Sequence, residues 1–500
     1  MLHSVRAHLR GSESERAYLC VYLRHATARR LSTDLSIQYI HNLDSGMDDW
    51  IGLHWIGLES IERLTNSIGI ICFVACSRSH KLSTHTLSTL STHTKPTPIL
   101  LQQQEEAPSM DSQTQAQLDE ALLKAATLGS TTEIHSLLDR HADINALTNN
   151  HQTPLHLASL EGHHQCIELL LDRHANINAL TKFHQTPLHR ASLNGHHQCI
   201  DLLLDRHADI NALTIDSQTP LHCASLNGHH QCIELLLDRH ADINALTSNN
   251  DTLLHLASRN GHHQCIELLL DLHADINALT IDDETPLHHA SSNGHHQCID
   301  LLLDRHADIN ALNANNITPL HDASWNGHHQ CIDLLLDRHA NINALTIDST
   351  APLHLASCKG HHQCIDLLLD RHANINALNK YTETPLHLAS WNGLHQCIEL
   401  LLDRHADINA LTNNHQTPLH HASSSGHHQC IELLLDRHAD INALNANHQT
   451  PLHDASLNGH HQCIEVLIDH CADKSLIDVR EFVSSRSRSK ERYCIFHLKL

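Results

Sequence analysis

The chain has 500 residues, of which 41% are hydrophobic and only 3% aromatic, the balance of a soluble protein with an aliphatic core. Its formal net charge is −24, and residues 110 to 472 alone carry 15 Lys and Arg against 42 Asp and Glu, a net charge of −27. Such a surface repels phosphate backbones, which argues against nucleic acid as a partner. The apolar run between Arg63 and Arg78 has 14 residues, short of the roughly 20 a membrane helix needs, so no membrane association is expected.

In chain order, residues 1 to 109 come first and share nothing with the rest of the chain. The arginines Arg6, Arg10, Arg16, Arg24, Arg29 and Arg30 would suit a transit peptide, but Glu13, Glu15 and Asp34 count against one. This segment is expected to be disordered or absent from the native protein, because Met110-Asp111-Ser112-Gln113 leads straight into the first repeated unit and reads as a true start.

From Thr153 a 33-residue unit recurs without interruption, beginning at Thr153, Thr186, Thr219, Thr252, Thr285, Thr318, Ala351, Thr384, Thr417 and Thr450. A degraded copy aligns from Glu120. Within a unit, Thr153-Pro154 predicts a helix start, a hydroxyl N-cap followed by a proline where its missing N–H is harmless. That helix ends near Gly162. A second begins around His163 to Gln165 and carries Cys166, Ile167, Leu169, Leu170 and Leu171, with Glu168 and Asp172 turned outward. The stretch from Ala175 to Gln185 predicts an extended loop with turn chemistry at its tip. Neither helix reaches the ~12–15 residues at which an isolated helix becomes marginal in water, so a unit is stable only against its neighbours.

Thr-Pro-Leu-His, Gly-His before the second helix, Leu-Leu-Leu and Ala-Asp-Ile-Asn-Ala at this spacing resemble the ankyrin repeat, over residues 120 to 482. The resemblance implies an all-α solenoid of about eleven stacked helix pairs, each with a projecting β-hairpin-like loop. It divides the chain into an N-terminal capping repeat (110–152), nine repeats (153–449), a C-terminal capping repeat (450–482) and a basic disordered tail (483–500) with Arg486, Arg488, Lys490 and Arg492. The tail could also be read as a nuclear-import signal. Two of the family's usual glycines are missing. After the second helix stands histidine (His174, His207, His240), and at the hairpin tip His151, Ser217, Asn250, Asp283 or Thr382. If these residues sit in the left-handed region, each costs about 1–2 kcal/mol relative to glycine, and the array is less stable than its repeat count suggests.

Little in the chain points to catalysis. Ten cysteines occupy one repeat position, from Cys166 to Cys463, and read as small buried hydrophobes in a reducing, cytoplasmic or nuclear, compartment. The His-His-Gln-Cys cluster has zinc-compatible atoms, but neighbouring residues on a helix point about 100° apart and the cysteine faces the core, so one unit cannot build a tetrahedral set. The motif histidine, His156, resembles the family's structural histidine. No nucleophile elbow, phosphate loop or acid pair accompanies it, so an enzyme is not expected, nor is any cofactor or metal.

Differences between copies concentrate at the hairpin tips and on the first helix, at the residue after the motif histidine and the two before glycine. The only four Phe, Trp or Tyr residues in 110–472, Phe183, Trp325, Tyr381 and Trp391, all fall at these variable positions. Ankyrin domains similarly grip partners with their tips and inner-helix surface. The partner-binding candidates are Lys182, Phe183, Arg259, Trp325, Lys359, Lys380, Tyr381 and Trp391, densest between Thr318 and Gln416. The expectation is a monomeric, non-enzymatic scaffold or adaptor for a protein with a basic or apolar surface. The alternatives are that the tryptophans merely fill the slot of Leu160 and Leu193, and that the histidine-rich array buffers metal or protons.

Overall fold

A computed structural model of the protein describes residues 110–472. Expectations for 1–109, for the end of the C-terminal cap and for the tail lie outside the described residues. Among the described residues, twenty-two helices follow one another in eleven pairs, from Met110–Leu128 with Thr131–Asp139 to Pro451–Asn458 with His461–Asp469. Successive first helices pack on one another, as do successive second helices. Leu155, Ile167 and Leu170 are fully buried, and their equivalents repeat in a continuous aliphatic core. The fold is the expected all-α solenoid. Among the described residues the loops form no strand. Each is a turn closed by bonds such as Thr148 N–H to Gln152 O at 3.0 Å, and most are tied to the next tip, as by Lys182 N–H to Asn150 O at 3.1 Å.

Sequence constancy between copies is explained by a set of ladders. Thr153 caps Pro154–Glu161 by accepting the His156 N–H at 3.3 Å, while the Thr153 N–H donates to His156 Nδ1 at 3.1 Å. Nδ1 therefore carries no proton, and Nε2–H donates to Gln185 O, at the end of the same unit's loop, at 3.0 Å. His196 Nε2 similarly donates to Leu160 O of the preceding unit at 2.9 Å. Its ring lies under Gly162, where φ is +79° and an added Cβ would come within 2.6 Å of His196 Nδ1, so both conformation and space demand glycine there. Asn178 Oδ1 accepts the Asp209 N–H at 3.0 Å, and Arg206 reaches back to Asp172 at 2.8 Å.

These ladders break at few places. Leu272 interrupts the arginine row, and Leu394 stands where a histidine would bond the Cys358 carbonyl. Ala351 replaces the capping threonine of Pro352–Lys359 and keeps only its N–H to His354 Nδ1 at 3.1 Å. Restoring the hydroxyl with Ala351→Thr is expected to stabilise the protein by about 0.5–2 kcal/mol. An unchanged denaturation midpoint would show that the hydroxyl contributes nothing at this cap.

The missing glycines are replaced at real cost. Ten histidines from His141 to His438, and Cys471, adopt φ of 64–69° after the second helix. Ten tip residues from His151 to His448 adopt φ of 54–59°. Histidine, asparagine and aspartate tolerate this region better than most residues, but Thr382, β-branched with φ 59°, is an outlier.

Candidate protein-interaction surface

Trp325 lies on Pro319–Asn326 and Lys359 on Pro352–Lys359, the first helices of adjacent units. The Lys359 ammonium stands 3.8 Å from the Trp325 ring centroid, a close cation–π contact. His361 holds the Trp325 carbonyl at 3.0 Å, and His427 holds that of Trp391 at 3.0 Å, so both aromatic side chains rise from anchored backbone. Trp391 meets His421 edge-on at 5.5 Å, and the same imidazole meets His387 at 5.1 Å. Burial and the neighbouring His387 keep His421 neutral, its pKa well below the usual value. Both tryptophans are half-buried, as are Leu160 and Leu193 at the matching positions.

Lys380 and Tyr381 form the tip that leads into Pro385–Trp391, the helix carrying Trp391. Lys380 is exposed, with Nζ 3.2 Å from Asp348 Oδ1 of the preceding tip and 6.0 Å from the Tyr381 ring centroid. Five of the eight candidates thus fall on consecutive units. The other three do not join them. Lys182 and exposed Phe183 occupy an early tip. Arg259 is bound to buried Asp251 at 2.8 Å and lies 3.2 Å from His289 Nε2, in a polar cluster of its own.

Not every variable position is open surface. The residue after the motif histidine is buried in most copies, including Cys223, His289, Asp322, His421 and Asp454, because it lies in the seam between neighbouring first helices. Variation there repacks the seam. Burial raises the Asp454 carboxyl to about 7 and also raises that of Glu383, whose Oε2 accepts from Asn379 at 2.8 Å. The constancy of the outer face also has a structural cause. Arg173, Arg206, Arg239, Arg305, Arg338, Arg371, Arg404 and Arg437 each pair with an aspartate of the preceding unit. These pairs are half-exposed and screened by water, so they contribute little to holding the stack together.

The cysteine ladder is buried at every rung and its thiols are free. Burial pushes Cys199 up to about 11 and Cys265 to about 12, so these thiols are held neutral. Among the described residues, no three His, Cys, Asp or Glu side chains are grouped to hold a metal ion. Copy-to-copy comparison missed one feature entirely. A leucine at the base of every loop, from Leu147 to Leu444, is exposed, and because it never changes it reads as part of the motif.

A family model described as ankyrin repeats (3 copies) matches residues 122–214, 209–280, 272–346, 343–412 and 400–478. The chain belongs to the ankyrin repeat family, whose members are generally protein–protein interaction modules. Among solved structures, the crystal structure of the human ASB11 ankyrin repeat domain is similar, with 29% identity and a TM-score of 0.42, over 45% of this chain and 99% of that chain. No curated protein matches. Among the described residues, no helix is long and apolar enough to cross a membrane.

Proposed function

We propose that the array is a non-enzymatic scaffold or adaptor that binds a protein partner across the units from Thr318 to Gln416. The observation that carries this is the Trp325–Lys359 pair at 3.8 Å, which presents a half-buried tryptophan on anchored backbone beside a cation. Trp391, Tyr381 and Lys380 extend it over the next unit. Tryptophan and tyrosine are frequent anchors of interfaces because they bury much area at low entropic cost. The net charge of −27 over residues 110 to 472, with 15 basic and 42 acidic side chains, favours a partner with a basic or apolar surface over nucleic acid or an anionic membrane. A monomer in the cytoplasm, or in the nucleus, fits an array of free cysteines with neighbours supplied from within one chain.

Other copies carry leucine where the tryptophans stand, so Trp325→Leu with Trp391→Leu and Tyr381→Ser keeps the packing while removing the anchors. Partner capture by the full chain is expected to fall at least 30-fold, at about 2 kcal/mol or more of lost binding, with the circular dichroism melt nearly unchanged. Capture that survives places the binding surface elsewhere.

A further inference from the structure

The hairpin tips form a registered row. Ile215 N–H donates to Phe183 O, Ser248 to Asp216, Ile281 to Asn249, Ala314 to Asp282, Ile347 to Asn315 and Lys380 to Asp348, each at 2.8–3.2 Å. Equivalent residues of six successive units are thereby held in line. Along that line the composition alternates with a period of two units. Ile215-Asp216, Ile281-Asp282 and Ile347-Asp348 occupy every second tip, separated by Ser248-Asn249 and Ala314-Asn315. The three isoleucines are 54–57% exposed. Leu213, Leu246, Leu279, Leu312 and Leu345, at the loop bases beside them, are 47–53% exposed. Isolated apolar side chains are ordinary on a protein surface, but an aligned, rigid row of them marks a contact surface.

The acids beside the isoleucines define what the row accepts. At Asp348 the next tip already supplies a cation, the Lys380 ammonium at 3.2 Å. That internal pair is a template for the row, a basic side chain seated on the aspartate next to an exposed isoleucine. Asp216 and Asp282 are exposed, and the tips that come after them offer Ser248 and Ala314 where Lys380 stands.

We propose that the tips from Leu213 to Leu312 are a docking row for an extended, cationic and aliphatic segment of another protein, with lysine or arginine on Asp216 and Asp282 and aliphatic side chains against Ile215 and Ile281. The row is separate from the tryptophan patch, and its occupant is set by the charge and spacing of the tips. Helix packing distances of about 8–10 Å put alternate tips about 16–20 Å apart, the reach of five or six residues in an extended strand. The recognised segment carries a Lys-Leu-like pair at that interval.

The probe is a synthetic peptide with three Lys-Leu pairs set six residues apart in a Ser/Thr background, titrated into the full chain by fluorescence anisotropy. A peptide of the same composition with the pairs three residues apart is the control. The six-residue peptide is expected to bind at least tenfold more tightly. Ile215→Ser with Ile281→Ser should lose at least tenfold. Asp216→Asn with Asp282→Asn should lose severalfold and flatten the dependence on salt. Serine and asparagine already occupy these positions at Ser248 and Asn249, so the fold tolerates both pairs. The tryptophan-patch variant should bind the peptide normally, so failure of the patch and failure of the row are distinguishable. Absence of binding, indifference to spacing, or retention by the isoleucine variant overturns the proposal. So does sedimentation showing a dimer that the isoleucine variant dissolves, since the row would then seat a second copy of this chain.

Discussion

Moving from pH 7.5 to pH 5.5 is expected to lower the denaturation midpoint of the array sharply. Burial, the largest cause, depresses the motif histidines His156, His189, His288, His321, His354 and His387 to about 4. Unfolded, each returns to about 6.5, so between these values the unfolded chain binds more protons and stability falls as the pH falls. The contribution is complete above about pH 6.5 and is lost as the pH drops toward 4. Between the two test conditions each ring costs on the order of 1 kcal/mol, and several kcal/mol if all six open together. The geometry gives the same sign. A proton on His156 Nδ1 would face the Thr153 N–H that now donates to it at 3.1 Å, and would break the cap. Asp454 works in the opposite direction. Its carboxyl is raised to about 7 by burial, so acid relieves a charge there, by about 2 kcal/mol over the same interval. The Glu383 carboxyl, also raised by burial, acts in the same sense as Asp454, but six depressed imidazoles outweigh two raised carboxyls. Equal melting midpoints at the two pH values would sink this account of the motif histidines.

Replacing the ten exposed histidines that come after the second helices, His141 to His438, with glycine is expected to raise the denaturation midpoint substantially. Each holds φ near +66° with its side chain in solvent, so no packing is lost with the ring. Relief of left-handed strain is worth about 1–2 kcal/mol, and glycine gives back about 0.5–1 through its freer unfolded chain. The net is about 0.5–1 kcal/mol per site, on the order of 5–10 kcal/mol for ten. Urea unfolding of the tenfold variant reads it directly, and a midpoint that stays or falls refutes the strain. The acid sensitivity should remain in that variant, because the motif histidines are untouched.

Most of the fold was legible because Thr-Pro and Gly act locally. Thr153 and Pro154 start a helix and Gly162 ends it by chemistry within a few residues, and the 33-residue period copies that outcome along the chain. Where the signals are missing the boundary was lost. Met110–Leu128 runs 19 residues, well ahead of the aligned copy at Glu120, because no Thr-Pro fixes its start. The left-handed histidines were also legible, since the family's glycines mark where the backbone must turn. The arginine ladder was not. Asp172 and Arg173 are sequence neighbours that read as merely solvated, and their partners emerge only when units stack. Of the candidate surface, differences between copies located Trp325, Tyr381 and Trp391 but also pointed to His421 and Asp454, which are buried. Variation cannot distinguish a seam from a surface. Nor can it find a leucine that is exposed everywhere and changes nowhere.

Every ladder in the array spans 29 to 38 residues, which is to say that no bond in it reaches past the adjacent unit. The number of units is therefore not fixed by the fold. Excising residues 186–218 joins Gln185 to Thr219, and His229 then meets the Leu160 carbonyl that served His196, while Arg239 meets Asp172 in place of Asp205. The same arithmetic admits insertion of a unit. What such an edit cannot preserve is phase, because the alternating Ile-Asp tips count in twos: losing a single unit between Leu213 and Leu345 leaves every helix pair intact and puts the row out of step with whatever reads it.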